Sequence, residues 1–597
     1  FQVHTYNPSS QSIFTHLIQT LLASQCALSQ PSYYPPDRTS EVINSNVDFD
    51  FVIVGGGSAG SVLARRLTDV PDWNVLLIEA GEDPGPMTEI PGLIFPLLRG
   101  SMDYIYKAEP DSKICQSMDG KVCVWSKGKV LGGSSVLNAM LHINGNKKDY
   151  DDWAEAGNEG WSYEEIRRCG VDGPLNIRLQ NYSLIDMDEY FFEAARELGL
   201  NAEPHGNSER YIGYKKLYVA VDGGQRVSVA KSFLAPIKDR KNFYVMKSTR
   251  VDKILLDSGR AIGVRVTLKN GETLDIKPSK EVILSAGSVA TPQLLMLSGI
   301  GPKDHLTEMG IPVVNDLHVG KNLQDHIMWL GVQMKYVNES AKPPAPTDLL
   351  DYTYDYLIHR RGPLTTLSSF DLMGFINVDN MTSEYPNIQI FNEAIGLGNT
   401  PHLYKIYTAF AISKDVQESM GKVLQDHNIY HAFPVLMKPE SRGELKLAST
   451  DPAVPMKIYP NYFKEEKDVE RMLKAIDFLK TLVKTKTFQR LGVSLNHVDI
   501  PNCRGTKPDS EEYWRCSLRN VASTLYHPVG TAKMGPASDP TAVVNSHLKV
   551  HGIKNLRVID ASIMPIITSV NVHATVMMIA EKGAQLLKDE WIVKDEL

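Results

Sequence analysis

The chain has 597 residues, of which 43% are hydrophobic and 22% are charged, a balance typical of a globular protein with a large core. At about 150 residues per domain, this length predicts several domains or two large ones. The net charge of -7 argues against a nucleic-acid-binding surface, since neutralising phosphates requires clustered Lys and Arg. No apolar run reaches the roughly 18 residues of a membrane helix, so we expect no membrane span.

The first change of character along the chain lies at Asp50. Residues 1–48 are polar and proline-rich and predict an N-terminal arm or linker. After them, "FVIV" is a short apolar run typical of a buried parallel strand, "GGGSAGSVLARRL" is a turn that becomes helical, and "NVLLIEAG" is a second buried strand. This order indicates a βαβ unit.

A glycine motif lies inside this unit. Gly55, Gly57 and Gly60 form G-x-G-x-x-G between the strand and the helix, an arrangement that lets backbone N–H groups approach a pyrophosphate at the helix N-terminus. Glu79 ends the second strand, where its carboxylate can accept hydrogen bonds from ribose hydroxyls. Strand, loop, helix, strand and terminal Glu together predict a dinucleotide site, but they do not distinguish NAD from FAD.

The next predicted elements are a hairpin and a helix. "TLKNGETLDI" alternates apolar and polar residues around Asn270-Gly271, which predicts a tight hairpin turn. The strand "EVILSAG" follows, and then "TPQLLMLSG" predicts a helix. In that helix we expect Thr291 as the N-cap, Pro292 at the first helical position and Gly299 just past the end.

The segment 331–510 has a different texture. It contains short strand candidates, "FPVLM" and "ELKLAS", and an amphipathic helix near 463–486 with core-packing spacing. "NLRVIDASIMP" then predicts another buried strand, which leads into "TSVNVHATVMMIAEK". Buried-strand patterns typical of a nucleotide-binding domain occur at both ends of the chain, so we predict a discontinuous cofactor domain that comprises residues 49–330 and 511–597. Some segments near 151–225 would belong to the substrate domain, which otherwise comprises residues 331–510.

Cysteines and sequons bear on the compartment. Cys115 and Cys123, and likewise Cys503 and Cys516, are separated by polar, turn-rich sequence that a disulfide can span. N-x-S/T sequons begin at Asn181, Asn338 and Asn380. Free thiols and chance sequons are the alternative in a chain of this length. Because the two features agree, we predict a secreted, disulfide-bonded glycoprotein.

Five separated motifs in one order resemble the glucose–methanol–choline (GMC) oxidoreductases, and most of all their insect glucose-dehydrogenase-like group. They are the glycine motif, "GKVLGGSSVLNAM", "SAGSVATPQLLMLSGIG", "VGKNLQDH" and "LYHPVGTAKMG", and the resemblance runs from about Asp50 to about Asp589. It implies an α/β fold with a Rossmann-like FAD-binding domain. The second domain would be α+β and built on an antiparallel sheet.

The resemblance also implies which residues contact FAD. The first glycine motif would bind the pyrophosphate, the segment after the second strand the adenosine ribose, and the second glycine-rich motif the isoalloxazine and ribityl side. Leu137 stands where some relatives attach the flavin covalently through His, so we expect non-covalent FAD. The implied contacts are Gly55, Gly57, Ser58, Ala59, Gly60, Glu79, Ala80, Gly128, Val130, Gly132, Gly133, Ser134, Asn138, Ala139, Val251, Ala286, Gly287, Tyr526, Asp560, Ala561, His573, Ala574 and Thr575.

Two catalytic residues follow from the same motifs. His527 in "LYHPVG" matches the family's catalytic His. A His side chain has an unperturbed pKa near neutrality, which suits proton transfer from an alcohol. Asn571 matches the second catalytic position, as a hydrogen-bonding partner to the substrate oxygen, although Asn is also favoured as a plain N-cap. His573 would then be a flavin neighbour, and we hypothesise that it tunes the cofactor.

We therefore expect an FAD-dependent enzyme that oxidises a primary alcohol or a sugar, with a quinone-type acceptor or oxygen. An oxidase of aromatic or terpenoid alcohols, like salicyl alcohol oxidases, is an alternative within the family. A hydroxynitrile lyase and a catalytically silent protein are alternatives from other classes. The silent protein is conceivable because the segment after Arg168 is shorter than is usual in relatives. No metal site is expected.

Overall fold

The computed structural model of the protein describes residues 33–45, 47–167, 173–180, 187–203, 211–338, 342–345 and 347–595. Three predicted features lie outside these residues: most of the arm, the sequon at Asn181 and the start of the shortened segment after Arg168. The described part of the arm includes a short helix and lies against the protein. Tyr34 is buried there, and the Arg38 guanidinium lies 3.7 Å from the centre of the Tyr244 ring.

The strands in the described residues are, in chain order, β1 Phe49–Val54, β2 Val75–Ile78, β3 Tyr106–Lys107, β4 Val124–Trp125, β5 Leu141–His142, β6 Asn201–Glu203, β7 Gly213–Lys216, β8 Tyr218–Val219, β9 Val221–Asp222, β10 Gln225–Arg226, β11 Phe243–Met246, β12 Arg250–Asp257, β13 Arg260–Thr267, β14 Thr273–Ile276, β15 Pro278–Leu284, β16 Ile327–Trp329, β17 Val332–Tyr336, β18 Leu372–Ile376, β19 Ile388–Ile395, β20 Asn428–Leu436, β21 Glu444–Lys446, β22 Lys457–Tyr459, β23 Ser494–Asn496, β24 Ala522–Thr524 and β25 Leu556–Val558.

The α-helices in the described residues are α1 Thr39–Asn44, α2 Ser58–Leu67, α3 Ile94–Leu97, α4 Lys147–Glu155, α5 Tyr163–Ile166, α6 Asp188–Glu197, α7 Gly287–Leu297, α8 Lys303–Glu308, α9 Asp348–His359, α10 Thr400–Ala409, α11 Lys414–Gly421, α12 Glu466–Leu482, α13 Lys486–Arg490, α14 Glu511–Val521 and α15 His573–Asp595.

A five-stranded parallel sheet in the order β11-β2-β1-β15-β25 forms the centre of the nucleotide-binding part. β1 and β2 are almost wholly apolar because helices and loops cover both faces of a parallel sheet. α2 and α15 pack against each other beside it, so the last helix of the chain returns to the first βαβ unit. The predicted Rossmann-like α/β fold is confirmed. The predicted hairpin is also present, with Asn270-Gly271 between β13 and β14.

A second, mostly antiparallel sheet lies beside it, along the path β23-β17-β20-β19-β18-β7-β6, with β16 paired to β20 and β24 paired to β16. The predicted antiparallel second sheet is confirmed. β16 and β24 belong to it, although they lie inside the segments 49–330 and 511–597 that the sequence assigns to the cofactor domain. The chain therefore crosses between the two sheets near these boundaries, and the division into domains stays a prediction.

The helix α7 begins earlier than the sequence predicts. Thr291 is not its N-cap, since the helix starts at Gly287, whose N–H donates to the Asp560 carboxylate (2.8 Å). Pro292 consequently lies inside the helix and cannot donate to the Ser288 carbonyl. The Thr531 hydroxyl donates to that carbonyl instead (2.6 Å). The predicted end is confirmed, because Gly299 follows the helix with a positive φ.

The predicted amphipathic helix and both predicted cysteine pairs are present in the structure. The amphipathic helix is α12, with Met472, Ile476 and Leu479 buried. Both predicted cysteine pairs are disulfides, Cys115–Cys123 and Cys503–Cys516. Among the described residues, no helix is both long and apolar enough to span a bilayer, and no cluster of His, Cys, Asp and Glu could hold a metal ion.

Candidate active site

One continuous cavity extends from the first glycine motif to His527. At its nucleotide end, α2 begins at Ser58, and no side chain caps its first N–H groups. Gly57 leaves this end open, since a Cβ there would meet only Gly133, at 3.9 Å. An uncapped helix N-terminus beside an open glycine loop suits a pyrophosphate group.

Two of the glycines are required by close backbone packing. A Cβ on Gly60 would lie 1.9 Å from the Gly55 carbonyl oxygen, so only glycine lets the helix approach the strand. A Cβ on Gly133 would lie 2.7 Å from the Cα of Gly57. The two glycine-rich motifs therefore touch each other, and together they form one wall of the cavity.

Glu79 lies at the end of β2 and lines the same cavity. Its two carboxylate oxygens accept hydrogen bonds from the Gly56 and Gly81 N–H groups, each at 2.8 Å. Burial raises the pKa of Glu79 to about 7, against the opposing effect of these two donors. Ribose hydroxyls would add further donors and favour the ionised carboxylate.

At the other end of the cavity, hydrogen bonds fix the protons on two histidine rings. His326 Nε2 lies 2.9 Å from the Thr568 carbonyl oxygen, which can only accept, so Nε2 carries a proton. Burial lowers the pKa of His326 to about 3, which makes the ring neutral and its Nδ1 an acceptor. The His527 Nδ1 lies 2.9 Å from that acceptor and must donate. This series of hydrogen bonds leaves Nε2 as the unprotonated nitrogen of His527.

The backbone around His527 is held by Asp325. The His527 N–H donates to Asp325 Oδ1 (2.8 Å), while the Thr524 and Tyr462 hydroxyls donate to Oδ2 (2.5 Å each). Burial raises the pKa of Asp325 to about 6 despite these donors. Tyr526, just before His527, has a positive φ of 65°, a strained conformation for a side chain of this size. The loop is thus held in one shape by a buried carboxylate.

Burial holds the pKa of His527 well below its usual range. The positive charges that His326, Lys127 and His573 would carry lower it further. The ring is therefore neutral at neutral pH. Asn571 lines the same part of the cavity, and its Oδ1 accepts from Gln389 Nε2 (3.2 Å). Because the carbonyl side of this amide is engaged, the Asn571 NH₂ group remains as a donor.

Comparison with known proteins identifies the family. The two parts of the GMC oxidoreductase model match residues 49–328 and 439–580. The chain belongs to the GMC oxidoreductase family. It is 34% identical to "Glucose dehydrogenase [FAD, quinone]" of Drosophila pseudoobscura pseudoobscura, over 99% of this chain and 94% of that protein. It is 32% identical to "Ecdysone oxidase" of Spodoptera littoralis, over 96% of each.

Among solved structures, the fold is similar to pyridoxine 4-oxidase of "Mesorbium loti", with a TM-score of 0.75 and 28% identity over 91% of this chain and all of the other. As a member of the GMC family, our protein is a flavoprotein, with FAD as its cofactor and CH–OH groups as the class of electron donor. The cavity fits that cofactor, because it joins an uncapped helix N-terminus and Glu79 at one end to His527 at the other.

The structure brings most of the predicted site residues to this cavity. Both proposed catalytic residues line it. The predicted cofactor contacts that line it are Gly55, Gly57, Ser58, Ala59, Glu79, Ala80, Gly128, Gly133, Ser134, Asn138, Ala139, Val251, Ala286, Gly287, Tyr526, Asp560, Ala561 and His573.

Five predicted contacts do not line the cavity: Gly60, Val130, Gly132, Ala574 and Thr575. The roles of three are evident. Gly60 packs on the Gly55 carbonyl, the Gly132 N–H donates to the Gly56 carbonyl (2.7 Å), and the Thr575 hydroxyl bonds to that of Tyr150 (3.0 Å). Val130 is fully buried. Gly60, Gly132 and Thr575 thus hold the loops and α15 in place, and a sequence motif does not distinguish this role from direct contact with a cofactor.

The sequence did not single out four residues that hold the site. His326 and Asp325 lie in the quoted motif "VGKNLQDH", but nothing in their spacing shows that they meet His527. Gln389 lies on β19, far along the chain from Asn571. Arg226 is fully buried and donates to the backbone and side-chain oxygens of Asn138 (2.6 and 2.9 Å). Only folding brings these groups to the site.

Proposed function

We propose that this enzyme oxidises an alcohol CH–OH group, with His527 as the acid–base catalyst and Asn571 as the hydrogen-bonding partner of the substrate oxygen. One observation carries this proposal. The hydrogen-bond chain from Thr568 through His326 leaves an unprotonated Nε2 on a ring that lines the cofactor cavity. A neutral imidazole with a free ring nitrogen is the form that accepts a proton.

In the reaction the substrate loses a proton from oxygen and a hydride from carbon, and a carbonyl product results. Bound FAD supplies the hydride acceptor. His527 takes the hydroxyl proton at Nε2, while its Nδ1–H remains bonded to His326. The Asn571 NH₂ group donates to the substrate oxygen and, through the Gln389 bond, keeps one orientation. The N-terminus of α15, which begins at His573 beside the cavity, favours negative charge there.

The test is the reduction of the bound flavin without oxygen. Alcohols and sugars are mixed anaerobically with the enzyme, and loss of the flavin's visible absorbance identifies a redox substrate. Replacing His527 with Ala should slow this loss about 100-fold or more. The matched control is H318A, which removes an exposed histidine and should reduce its flavin at the wild-type rate. Wild-type kinetics in H527A would refute the role of His527.

The acceptor follows from the same experiment. We propose a quinone-type carrier or oxygen, because the relatives include a dehydrogenase named for a quinone and an oxidase. After reduction, oxygen or a soluble quinone is added, and the faster return of absorbance names the acceptor. No bleaching with any substrate would favour a lyase or a silent protein instead.

We further propose that the enzyme is secreted and glycosylated. The two disulfides and the exposed sequon residues Asn338 and Asn380 support this. Expression of the natural gene in a secretory cell should place the enzyme in the medium, with a mass that falls on treatment with an N-glycosidase. Retention in the cytosol with free thiols would contradict the proposal.

A further inference from the structure

Part of the cavity is walled by aromatic rings, and this bears on the substrate class. Besides Tyr104 and Tyr106, six phenylalanine and tyrosine rings line it: Phe95, Phe370, Phe391, Phe410, Phe433 and Tyr526. None of these six belongs to the glycine-rich loops, and Tyr526 directly precedes His527 in the chain. We call these six residues the aromatic wall.

The aromatic wall has two parts. In the first, the Phe370 ring stacks on Phe433, with centroids 5.7 Å apart, and meets Phe95 at 5.5 Å. Phe391 and Phe433 are register partners on β19 and β20. In the second, Phe410 stacks on Tyr526 at 5.3 Å.

Both parts adjoin the catalytic residues. Phe391 and Gln389 are two residues apart on β19, so they project from the same face of the sheet, and Gln389 donates to Asn571. Tyr526 directly precedes His527 in the chain. A substrate whose hydroxyl meets His527 and Asn571 must therefore place its skeleton against these rings.

The aromatic wall offers the substrate no free hydrogen-bond donor. Five of its members are phenyl rings, and the Tyr526 hydroxyl already donates to the Ala409 carbonyl (3.2 Å). The other side chains from α3, β16 and α10 that line the cavity are Ile94, Met328 and Ile406, and all three are apolar. A sugar carries a hydroxyl on nearly every carbon, and each one buried without a partner weakens binding by about tenfold. An apolar ring instead gains area burial and ring contacts.

We propose that the substrate is an alcohol whose hydroxyl is attached to an aromatic or alicyclic skeleton with few other polar groups, and not a sugar. This rests on the proposed alcohol oxidation and narrows it. It also separates this enzyme's preference from the sugar in the name of its Drosophila relative.

The holoenzyme is tested by anaerobic stopped-flow reduction with three probes: 4-methoxybenzyl alcohol, cyclohexylmethanol and D-glucose. For each probe we measure the rate constant of flavin reduction divided by the dissociation constant of the probe. We expect this ratio to be at least about 100-fold higher for the two ring alcohols than for glucose, which corresponds to two hydroxyls of glucose left without a hydrogen-bond partner. A higher value for glucose would overturn the substrate assignment and leave alcohol oxidation intact. No reduction by any probe would overturn both.

A matched pair of variants tests the aromatic wall itself. F391L keeps the site apolar, and F391Q places an amide of similar size there. We expect F391L to retain the preference for ring alcohols over glucose, whatever its turnover, and F391Q to lose at least about tenfold of it. Equal preference in both variants would show that Phe391 does not face the substrate. The wild-type probe series decides the substrate class even if F391Q does not fold.

Discussion

The hydrogen bond between His326 and His527 makes a prediction that separates its chemical role from simple packing. In H326L the Nδ1–H of His527 loses its acceptor. The buried ring is then free to carry its proton on Nε2, where it blocks proton uptake from the substrate. In H326N the amide oxygen occupies nearly the position of the lost Nδ1 and can still accept. Both variants lose the bond to the Thr568 carbonyl, so they differ mainly in the acceptor offered to His527.

The magnitude follows from the charge that develops on His527. A hydrogen bond to a group that becomes charged contributes about 1.5–3 kcal/mol. At about 1.4 kcal/mol for each factor of ten, H326L should reduce its flavin about 10- to 100-fold more slowly than wild type. H326N should stay within about fivefold, since its acceptor remains. The assay is single-turnover flavin reduction by saturating alcohol, with flavin content and melting temperature measured on each protein.

Two results would refute this reasoning. If H326L reduced its flavin as fast as wild type, the acceptor would have no part in proton transfer. If H326L and H326N were slowed equally, the loss would come from packing or from the Thr568 contact. Because the substrate is saturating, a change in substrate affinity cannot account for either result.

Three further predictions concern the cofactor and stability. H573N should lower the midpoint potential of the flavin, measured by dye equilibration, because Asn cannot take up a proton as negative charge develops beside it; an unchanged potential at every pH would end this hypothesis. With Leu137 at the attachment position, acid precipitation should release all flavin into the supernatant, and yellow pellets would contradict non-covalent binding. Burial lowers the pKa of His326, His431 and His573 to about 3 each, so below pH 6.5 the unfolded chain binds more protons than the folded protein. As the pH falls, the free energy of unfolding should therefore decrease by up to about 1.4 kcal/mol per pH unit for each ring. Urea unfolding at pH 7 and pH 5 should show a smaller decrease in H431Q than in the wild type.

The parallel sheet and the glycine loop were predictable because their causes are local. A strand such as β2, which is buried on both faces, is apolar throughout, and a loop that approaches a helix as closely as Gly60 approaches Gly55 must lack a Cβ. The hairpin at Asn270-Gly271 follows from turn chemistry in the same way. In each case the residue type and its immediate neighbours contain the constraint.

The start of α7 was not predictable, because its cause is distant. Thr291-Pro292 is a good local signal for a helix start. The helix begins four residues earlier than Thr291, at Gly287, because the Asp560 carboxylate accepts the N–H of that residue. The Thr291 hydroxyl also donates to Asp560, at 2.6 Å. The residue predicted as a local cap thus contacts the carboxylate that holds the true helix start.

The same distinction applies to the two proposed catalytic residues. His527 and Asn571 were found through motifs, but a motif gives only their identities. Whether His527 acts as a base depends on which ring nitrogen carries the proton, and that is decided by His326, 201 residues away in the chain. The direction of the Asn571 amide depends similarly on Gln389, at a separation of 182 residues. Proton positions at this site are consequences of tertiary contacts, so variants of His326 and Gln389 test the proposed mechanism more sharply than removal of the His527 or Asn571 side chain.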